Sequence, residues 1–140
     1  MSPRAVTRIP KSRSIRLKRV FEPAPPGDGA RFLVDRLWPR GLKKRDVHFD
    51  AWLKDVAPSD ALRRWFGHNP ARWNGFLQRY FTELDARPAA LQPIQEAARR
   101  GTVTLLFSAR DATHNNAAAL ARYLSAKMTA TGLRPRSKIG

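Results

Sequence analysis

The sequence contains no cysteine among its 140 residues. This absence excludes disulfide bonds, thiolate nucleophiles and cysteine-ligated zinc sites. There is also no run of about 18 apolar residues, the length that a membrane-spanning helix needs. The basic N-terminus lacks the apolar segment of a secretory signal, so we expect a cytoplasmic protein that does not enter the membrane. A chain of this length fits one domain and can bury a proper core.

The common motifs of nucleotide and metal chemistry are missing as well. Neither a GxGxxG nor a GxxxxGK[ST] pattern occurs, so neither dinucleotide-binding nor P-loop NTPase chemistry is indicated. The three histidines, His48, His68 and His114, are too scattered along the chain to indicate a metal site. We therefore expect neither a metal nor a cofactor.

Acidic residues are scarce, and the basic residues concentrate at the ends. The chain has 27 Lys and Arg against 11 Asp and Glu, for a net charge of +16. Seven bases and no acid occur in residues 1–19, and four bases and no acid in residues 127–140. We predict a flexible basic arm at 1–13, a single α/β domain at 14–128 and a flexible basic tail at 129–140. Such ends either bind polyanions through counterion release or are simply solvated.

Three apolar segments predict β-strands, at residues 14–21, 31–37 and 102–108. The last of them, "TVTLLFS", is a nearly continuous apolar run, which is typical of a central strand covered on both faces in a parallel sheet. The order of strands and helices predicts an α/β fold. We expect a single three-layer-type domain with a small, mainly parallel sheet flanked by helices.

Capping residues and apolar periodicity predict the helices. Ser59 is a suitable N-cap for one helix, and Asn69 followed by Pro70 begins another. A third helix covers residues 89–100, and a fourth runs from about 113 to 127 with Asp111 or Thr113 as its cap. The stretch from Trp52 to Val56 also looks helical, which would place Lys54 and Asp55 at the surface.

Two polar segments follow predicted strands, "VDRLWPRG" at 34–41 and "SARDATHNN" at 108–116. Ligands of open α/β sheets bind beyond the carboxyl ends of parallel strands. If these two strands are parallel neighbours, their polar side chains share one cleft. The residues concerned are Asp35, Arg36, Trp38, Arg40, Ser108, Arg110, Asp111, His114, Asn115 and Asn116.

The chemistry of this set indicates recognition of an anion. Arginine offers a planar fork of donors that matches phosphate or carboxylate, and a helix N-terminus adds backbone N–H groups. The candidate ligand-binding residues are Arg36, Trp38, Arg40, Ser108, Arg110, Asn115 and Asn116. Asp35 and His114 are the candidates for proton transfer, although the sequence does not establish any catalytic activity.

Each of these residues also has a purely structural interpretation. Asp35 and Arg36 could form ion pairs within the fold, and Asp111 could be only a helix cap. Trp38 could belong to the core, and His114 could satisfy loop backbone groups.

Two other functions remain open at this point. The protein could bind nucleic acid through its basic termini, or it could be a partner-binding module that uses exposed tryptophans. The sequence does not indicate an oligomeric state.

Three segments, "VDRLWPRGLKK", "WLKDVAPSDALRRWFGHNPARWNGF" and "VTLLFSARDATHNNAAAL", resemble the YeaO-like family of bacterial proteins, a domain-of-unknown-function family. The resemblance runs from about residue 15 to residue 127 and implies a small cytosolic α/β domain without a settled activity. A more distant branch has a Cys-His-Arg string near the third segment. This chain has asparagines there, so that branch's thiol chemistry does not transfer. The positions that match the family are Asp35, Arg36, Trp38, Pro39, Arg40, Gly41, Trp52, Lys54, Pro58, Ser59, Trp65, Phe66, His68, His114, Asn115 and Asn116.

Overall fold

The computed structural model describes residues 15–139, with side chains described as far as residue 128. Its sheet has four strands, β1 (Ile15–Arg19), β2 (Ala30–Leu33), β3 (Ala51–Trp52) and β4 (Val103–Phe107). The strands are all parallel and lie in the order β1-β4-β2-β3. This arrangement confirms the α/β fold with a small parallel sheet. The predicted helix at 52–56 is wrong, because Trp52 belongs to β3 and only a short 3₁₀ turn, Lys54–Val56, follows.

The helices are α1 (Asp60–Phe66), α2 (Trp73–Asp85), α3 (Pro88–Arg100) and α4 (Asn116–Ile139). Ser59 caps α1 as predicted, since its Oγ accepts a hydrogen bond from the Leu62 N–H at 3.1 Å. Asn69 caps a 3₁₀ turn, Pro70–Arg72, that leads directly into α2. No helix within residues 15–139 is both long and apolar enough to cross a membrane.

The start of α4 differs from the prediction. Asp111 and Thr113 do not cap this helix; instead, the Asn115 Oδ1 accepts from the Ala118 N–H at 2.8 Å. Asp111 closes a separate turn before the helix, because its Oδ1 accepts from the N–H groups of Thr113 and His114. The α4 backbone also continues past residue 127 to Ile139. The predicted arm at 1–13 lies outside the described residues, and so do the side chains of the predicted tail at 129–140.

The two faces of the sheet are covered by different kinds of structure. Alternate residues of β4, namely Val103, Leu105 and Phe107, face a core that contains the apolar residues of all four helices. Leu106 and Leu33 face the opposite side, which the connection between β2 and β3 covers. That second layer contains the aromatic side chains of Trp38, Phe49 and Trp52. The covering layer on this side is therefore a long irregular connection, and it leads directly out of β2.

A buried ion cluster lies on the same side of the sheet, at the other end of the strands. Asp28 is fully buried, with Lys18 Nζ at 2.9 Å from Oδ1 and the Arg31 guanidinium on Oδ2. Burial raises the pKa of Asp28, but the hydrogen bonds from Lys18 and Arg31 outweigh it and hold that pKa below its ordinary value. The Asp28 carbonyl also accepts from the Thr104 hydroxyl at 2.8 Å, which connects the cluster to β4.

Candidate functional site

The prediction that the two polar segments follow parallel, neighbouring strands is confirmed. β2 and β4 are adjacent and parallel with Leu33 opposite Leu106, and the Val34 N–H extends the pairing to the Leu106 carbonyl. The polar segments leave the sheet side by side, and a cleft of about 790 Å³ opens beyond them. The cleft is lined by every one of the ten predicted residues: Asp35, Arg36, Trp38, Arg40, Ser108, Arg110, Asp111, His114, Asn115 and Asn116.

Asp35 joins the two strand ends to α4. Its Oδ2 accepts from the Ser108 N–H at 3.0 Å and from the Ser108 Oγ–H at 2.7 Å. The Asn116 side-chain amide donates to Asp35 Oδ1 at 3.2 Å and to the Val34 carbonyl at 2.9 Å. Burial raises the pKa of Asp35, although these donors act in the opposite direction. Asp35, Ser108 and Asn116 therefore hold the floor of the cleft in place.

Asn115 is also committed to the fold. It is buried, its Oδ1 caps α4, and its amide donates to the Asp111 carbonyl at 2.8 Å. This residue thus connects the turn that carries His114 to the first turn of α4.

Trp38 belongs largely to the loop layer on the sheet. Its indole N–H donates to the Leu42 carbonyl, and its ring centroid lies 5.5 Å from those of Phe49 and Trp52. Lys44 approaches the same ring, with Nζ at 5.8 Å from the centroid. These contacts fit the interpretation of Trp38 as a core residue. The part of its side chain that reaches the cleft forms part of the cleft wall.

His114 is held in a fixed orientation at the edge of the cleft. Its Nδ1 lies 3.1 Å from Asp111 Oδ2, and its ring makes an edge contact with Trp73 at 5.2 Å between centroids. The N–H groups of His114 and Thr113 hold the pKa of Asp111 well below its ordinary value, so Asp111 is a carboxylate. Because Nδ1 is engaged, Nε2 is the ring nitrogen left for a ligand.

Five arginines line the cleft: Arg36, Arg40, Arg63, Arg64 and Arg110. Arg36 and Arg63 share one carboxylate oxygen, Asp60 Oδ1, at 3.2 and 3.0 Å. The remaining three, Arg40, Arg64 and Arg110, are exposed and form no hydrogen bond or ion pair with any residue that the structure describes. The cleft therefore has an excess of positive charge.

The sequence did not indicate Arg63 and Arg64 as site residues. Both lie on α1, which was correctly predicted, but helical periodicity alone does not show which sheet edge a helix faces. The only available signal was the pair of adjacent arginines within the helix that Ser59 caps.

The remaining wall of the cleft is apolar and ends at an unusual turn. It includes Leu37, Pro58 and the edges of the buried rings of Phe66 and Phe76. His68 lies at the end of this wall with a φ of 56°, and it is exposed. This left-handed conformation is uncommon for a residue other than glycine and is often found at functional sites.

Metal ligation has no support in this arrangement. Within residues 15–139, no group of three or more His, Asp or Glu side chains is placed to hold a metal ion. The carboxylates that line the cleft, Asp35 and Asp111, are each engaged by hydrogen-bond donors.

Sequence comparisons give the relationship of this chain to other proteins. Residues 14–138 match a family described as the inactive DUF488-N3 subclade. The uncharacterized protein YeaO of Escherichia coli (strain K12) is 40% identical over 111 residues, which cover 79% of this chain and 96% of that protein. The chain belongs to the YeaO-like family. An uncharacterized protein of Mycobacterium tuberculosis (strain H37Rv) is 42% identical over 113 residues, which cover 81% of this chain and 95% of the relative. No solved structure matches the chain significantly.

The YeaO-like segments contribute unequally to the cleft. The first and third segments supply its floor and three of its arginines, Arg36, Arg40 and Arg110. The second supplies the other two arginines and part of the apolar wall: Arg63, Arg64, Pro58, Phe66, His68 and Phe76. By contrast, Trp65 lies beneath Arg79, whose guanidinium carbon is 3.8 Å from the ring centroid, and does not line the cleft.

Proposed function

We propose that this YeaO-like protein binds a small anionic molecule, carrying phosphate or carboxylate groups, in the cleft beyond β2 and β4. The observation that carries this proposal is the set of three exposed arginines on one cleft, Arg40, Arg64 and Arg110, none of which forms a hydrogen bond or ion pair with the described residues, although Arg64 acts electrostatically on Asp60. Guanidinium groups bind phosphate and carboxylate through paired, charge-assisted hydrogen bonds. A binding role needs such groups at the surface of a cleft of suitable size, and about 790 Å³ lies in the range of small-molecule sites.

The proposed contacts divide the lining residues by role. Arg40, Arg64 and Arg110 contact the anion directly, and the His114 ring lies at the edge of the same cleft. Arg36 and Arg63 contribute through the guanidinium nitrogens that do not face Asp60. Ser108, Asn115 and Asn116 act mainly by holding the floor, because their side chains already hydrogen-bond within the fold.

Binding is favoured over catalysis for two reasons. The matched subclade is described as inactive. In addition, both carboxylate oxygens of Asp35 already accept hydrogen bonds that hold the floor of the cleft, and this favours a structural role for Asp35. His114 remains the better placed of the two candidates, since its Nε2 is left for the cleft and Asp111 orients its ring.

The test is a calorimetric titration of the protein with inorganic pyrophosphate and, separately, with citrate. Replacing Arg40 with glutamine removes one charged donor and should weaken binding by roughly 1.5–3 kcal/mol, the range for a hydrogen bond to a charged group. Arg122→Gln is the matched control, because Arg122 is exposed on α4 and does not line the cleft. It should leave the affinity within a factor of about two.

Two results would count against the proposal. If neither anion binds, or if both variants weaken binding equally, the cleft is not the binding site. Equal weakening together with a steep loss of affinity in added salt would instead favour the hypothesis of polyanion binding by the basic termini.

A further inference from the structure

The lining of the cleft is divided into a cationic part and an apolar part. The arginines lie on the connection after β2, on α1 and on the turn after β4. Between them lies the wall formed by Leu37, Pro58, Phe66 and Phe76. A simple inorganic anion would satisfy the arginines but would leave this wall exposed to water. A ligand that uses the whole cleft therefore has a charged end and a flat or apolar body.

Leu37 is the first of two features that the fold itself does not explain. Its side chain is 63% exposed, more than that of any other large hydrophobic residue among those described, and it belongs to neither core cluster. It lies directly before Trp38, whose ring packs against Phe49 and Trp52. An apolar ligand group placed against the cleft wall would cover Leu37.

His68 is the second feature. Its backbone is the only left-handed one at a non-glycine position in the part of the chain described, and its exposed ring lines the cleft 6.5 Å from the ring of Phe66. A residue held in an uncommon conformation persists because its surroundings fix it, and such residues cluster at ligand sites. An imidazole at the end of an apolar wall can stack on a flat aromatic ring.

The charges and the spread of the arginines favour a ligand with several negative charges. Five arginines face three nearby carboxylates, those of Asp35, Asp60 and Asp111. Even with all three carboxylates ionised, the cleft keeps an excess of two positive charges. The arginines are also spread over three chain segments, and a chain of phosphates offers oxygens to all three more readily than a single phosphate does.

We infer that the anion bound by this cleft is a nucleotide with at least two phosphates, its phosphates on the arginines and its base against Leu37 and His68. This inference rests on the proposed function and specifies its ligand class. Recognition of this kind needs no glycine-rich phosphate loop, because side chains replace the backbone donors of such a loop.

The experiment compares inorganic pyrophosphate with ADP, GDP, CDP and UDP on the full-length protein by calorimetry at one ionic strength. At least one nucleoside diphosphate should bind about tenfold more tightly than pyrophosphate, the ratio expected for one stacked base. Leu37→Ser and His68→Asn should each bring this ratio close to one. Asparagine tolerates the left-handed conformation, so the second variant removes the ring without adding backbone strain.

The control and the contrary outcomes separate this inference from the proposed function. Leu17→Ser changes an exposed leucine of β1 that does not line the cleft, and it should leave the ratio unchanged. If pyrophosphate binds and no nucleoside diphosphate binds more tightly, base recognition is overturned and the anion site stands. If Leu37→Ser and His68→Asn leave the ratio at its wild-type value, the wall does not hold the base. If nothing binds, both the inference and the proposed function fail.

Discussion

Arg31 offers the sharpest test of how this fold is held together. Arg31 is 1% exposed, and its guanidinium pairs with the fully buried Asp28. It also donates to three backbone carbonyls, those of His48 at 2.8 Å, Pro23 at 3.3 Å and Glu22 at 3.2 Å. One side chain thus fastens β2 to the loop before it and to the connection that covers the sheet. We expect Arg31→Met to destabilise the protein severely.

The size of the loss follows from what the substitution leaves behind. Methionine fills much of the space, so the cost is mainly electrostatic. Removing one partner of a buried ion pair typically costs about 3–5 kcal/mol, because the other charge stays buried. Lys18 still contacts Asp28 and reduces this cost, whereas the three carbonyls lose their donor at about 1 kcal/mol each. We therefore expect a loss of roughly 4–6 kcal/mol, which is comparable with the whole stability of a small domain.

Urea unfolding followed by tryptophan fluorescence measures this loss. Arg16→Met is the matched control, since Arg16 lies 3.7 Å from the same Asp28 but is half exposed, and it should cost less than about 1 kcal/mol. The double variant Asp28→Asn with Arg31→Met should be less destabilised than the two single losses added together, by about 1–3 kcal/mol. Equal losses for Arg16→Met and Arg31→Met, or strict additivity in the double variant, would refute the account.

Two further predictions concern the backbone and the pH dependence of stability. Gly29→Ala should lower the melting temperature well below that of Gly41→Ala. Both glycines have positive φ, but only at Gly29 would a Cβ meet another atom, the Thr102 carbonyl oxygen at 2.0 Å; equal losses would contradict this reasoning. Burial raises the pKa of Asp35, which means that the folded protein favours the protonated carboxyl. The stability that this protonated form contributes is fully present below the unfolded pKa of about 3.9, and it is lost as the pH rises through the folded pKa. The unfolding free energy of the wild type minus that of Asp35→Asn should therefore fall as the pH rises above about 4. A constant difference would show that Asp35 ionises as easily in the folded protein as in the unfolded chain.

Much of the fold could be predicted because its signals are local. The apolar run of β4, the caps Ser59 and Asn69 and the predicted helix at 89–100 depend on neighbouring residues only, and each indicated the correct element. The missed elements depend on distant contacts. β3 has only two residues, and it is a strand because Leu53 and Asp50 donate to carbonyls of β2. No pattern in two residues can indicate such pairing.

The sequence predicted the residues of the floor of the cleft but not those that α1 contributes to it. In the sequence, a polar segment directly follows each of the two apolar strands. The parallel pairing of β2 with β4 brings these two polar segments together. The position of α1 depends instead on packing, for example of Leu62 and Phe66 against the helical core. Arg63 and Arg64 reach the cleft only through that packing. The buried pair of Asp28 and Arg31 was missed for the same reason, since neither residue carries a local sign of burial.

The residues that line the cleft are of two kinds. Some hold the cleft in shape, and others make no contact that the fold needs. Asp35, Ser108 and Asn116 are tied to one another and to the backbone, so they account for the shape of the cleft. Arg40 and Arg110 hold nothing together among the described residues, and their like charges repel within one concave surface. Cations without ion-pair partners in a concave surface do not stabilise the fold, because the electrostatic potential there is concentrated and like charges repel. Under the proposed function, a bound anion offsets this repulsion, and this gives a physical reason for the arginines of "VDRLWPRG" and "SARDATHNN" to lie at the same edge of the sheet.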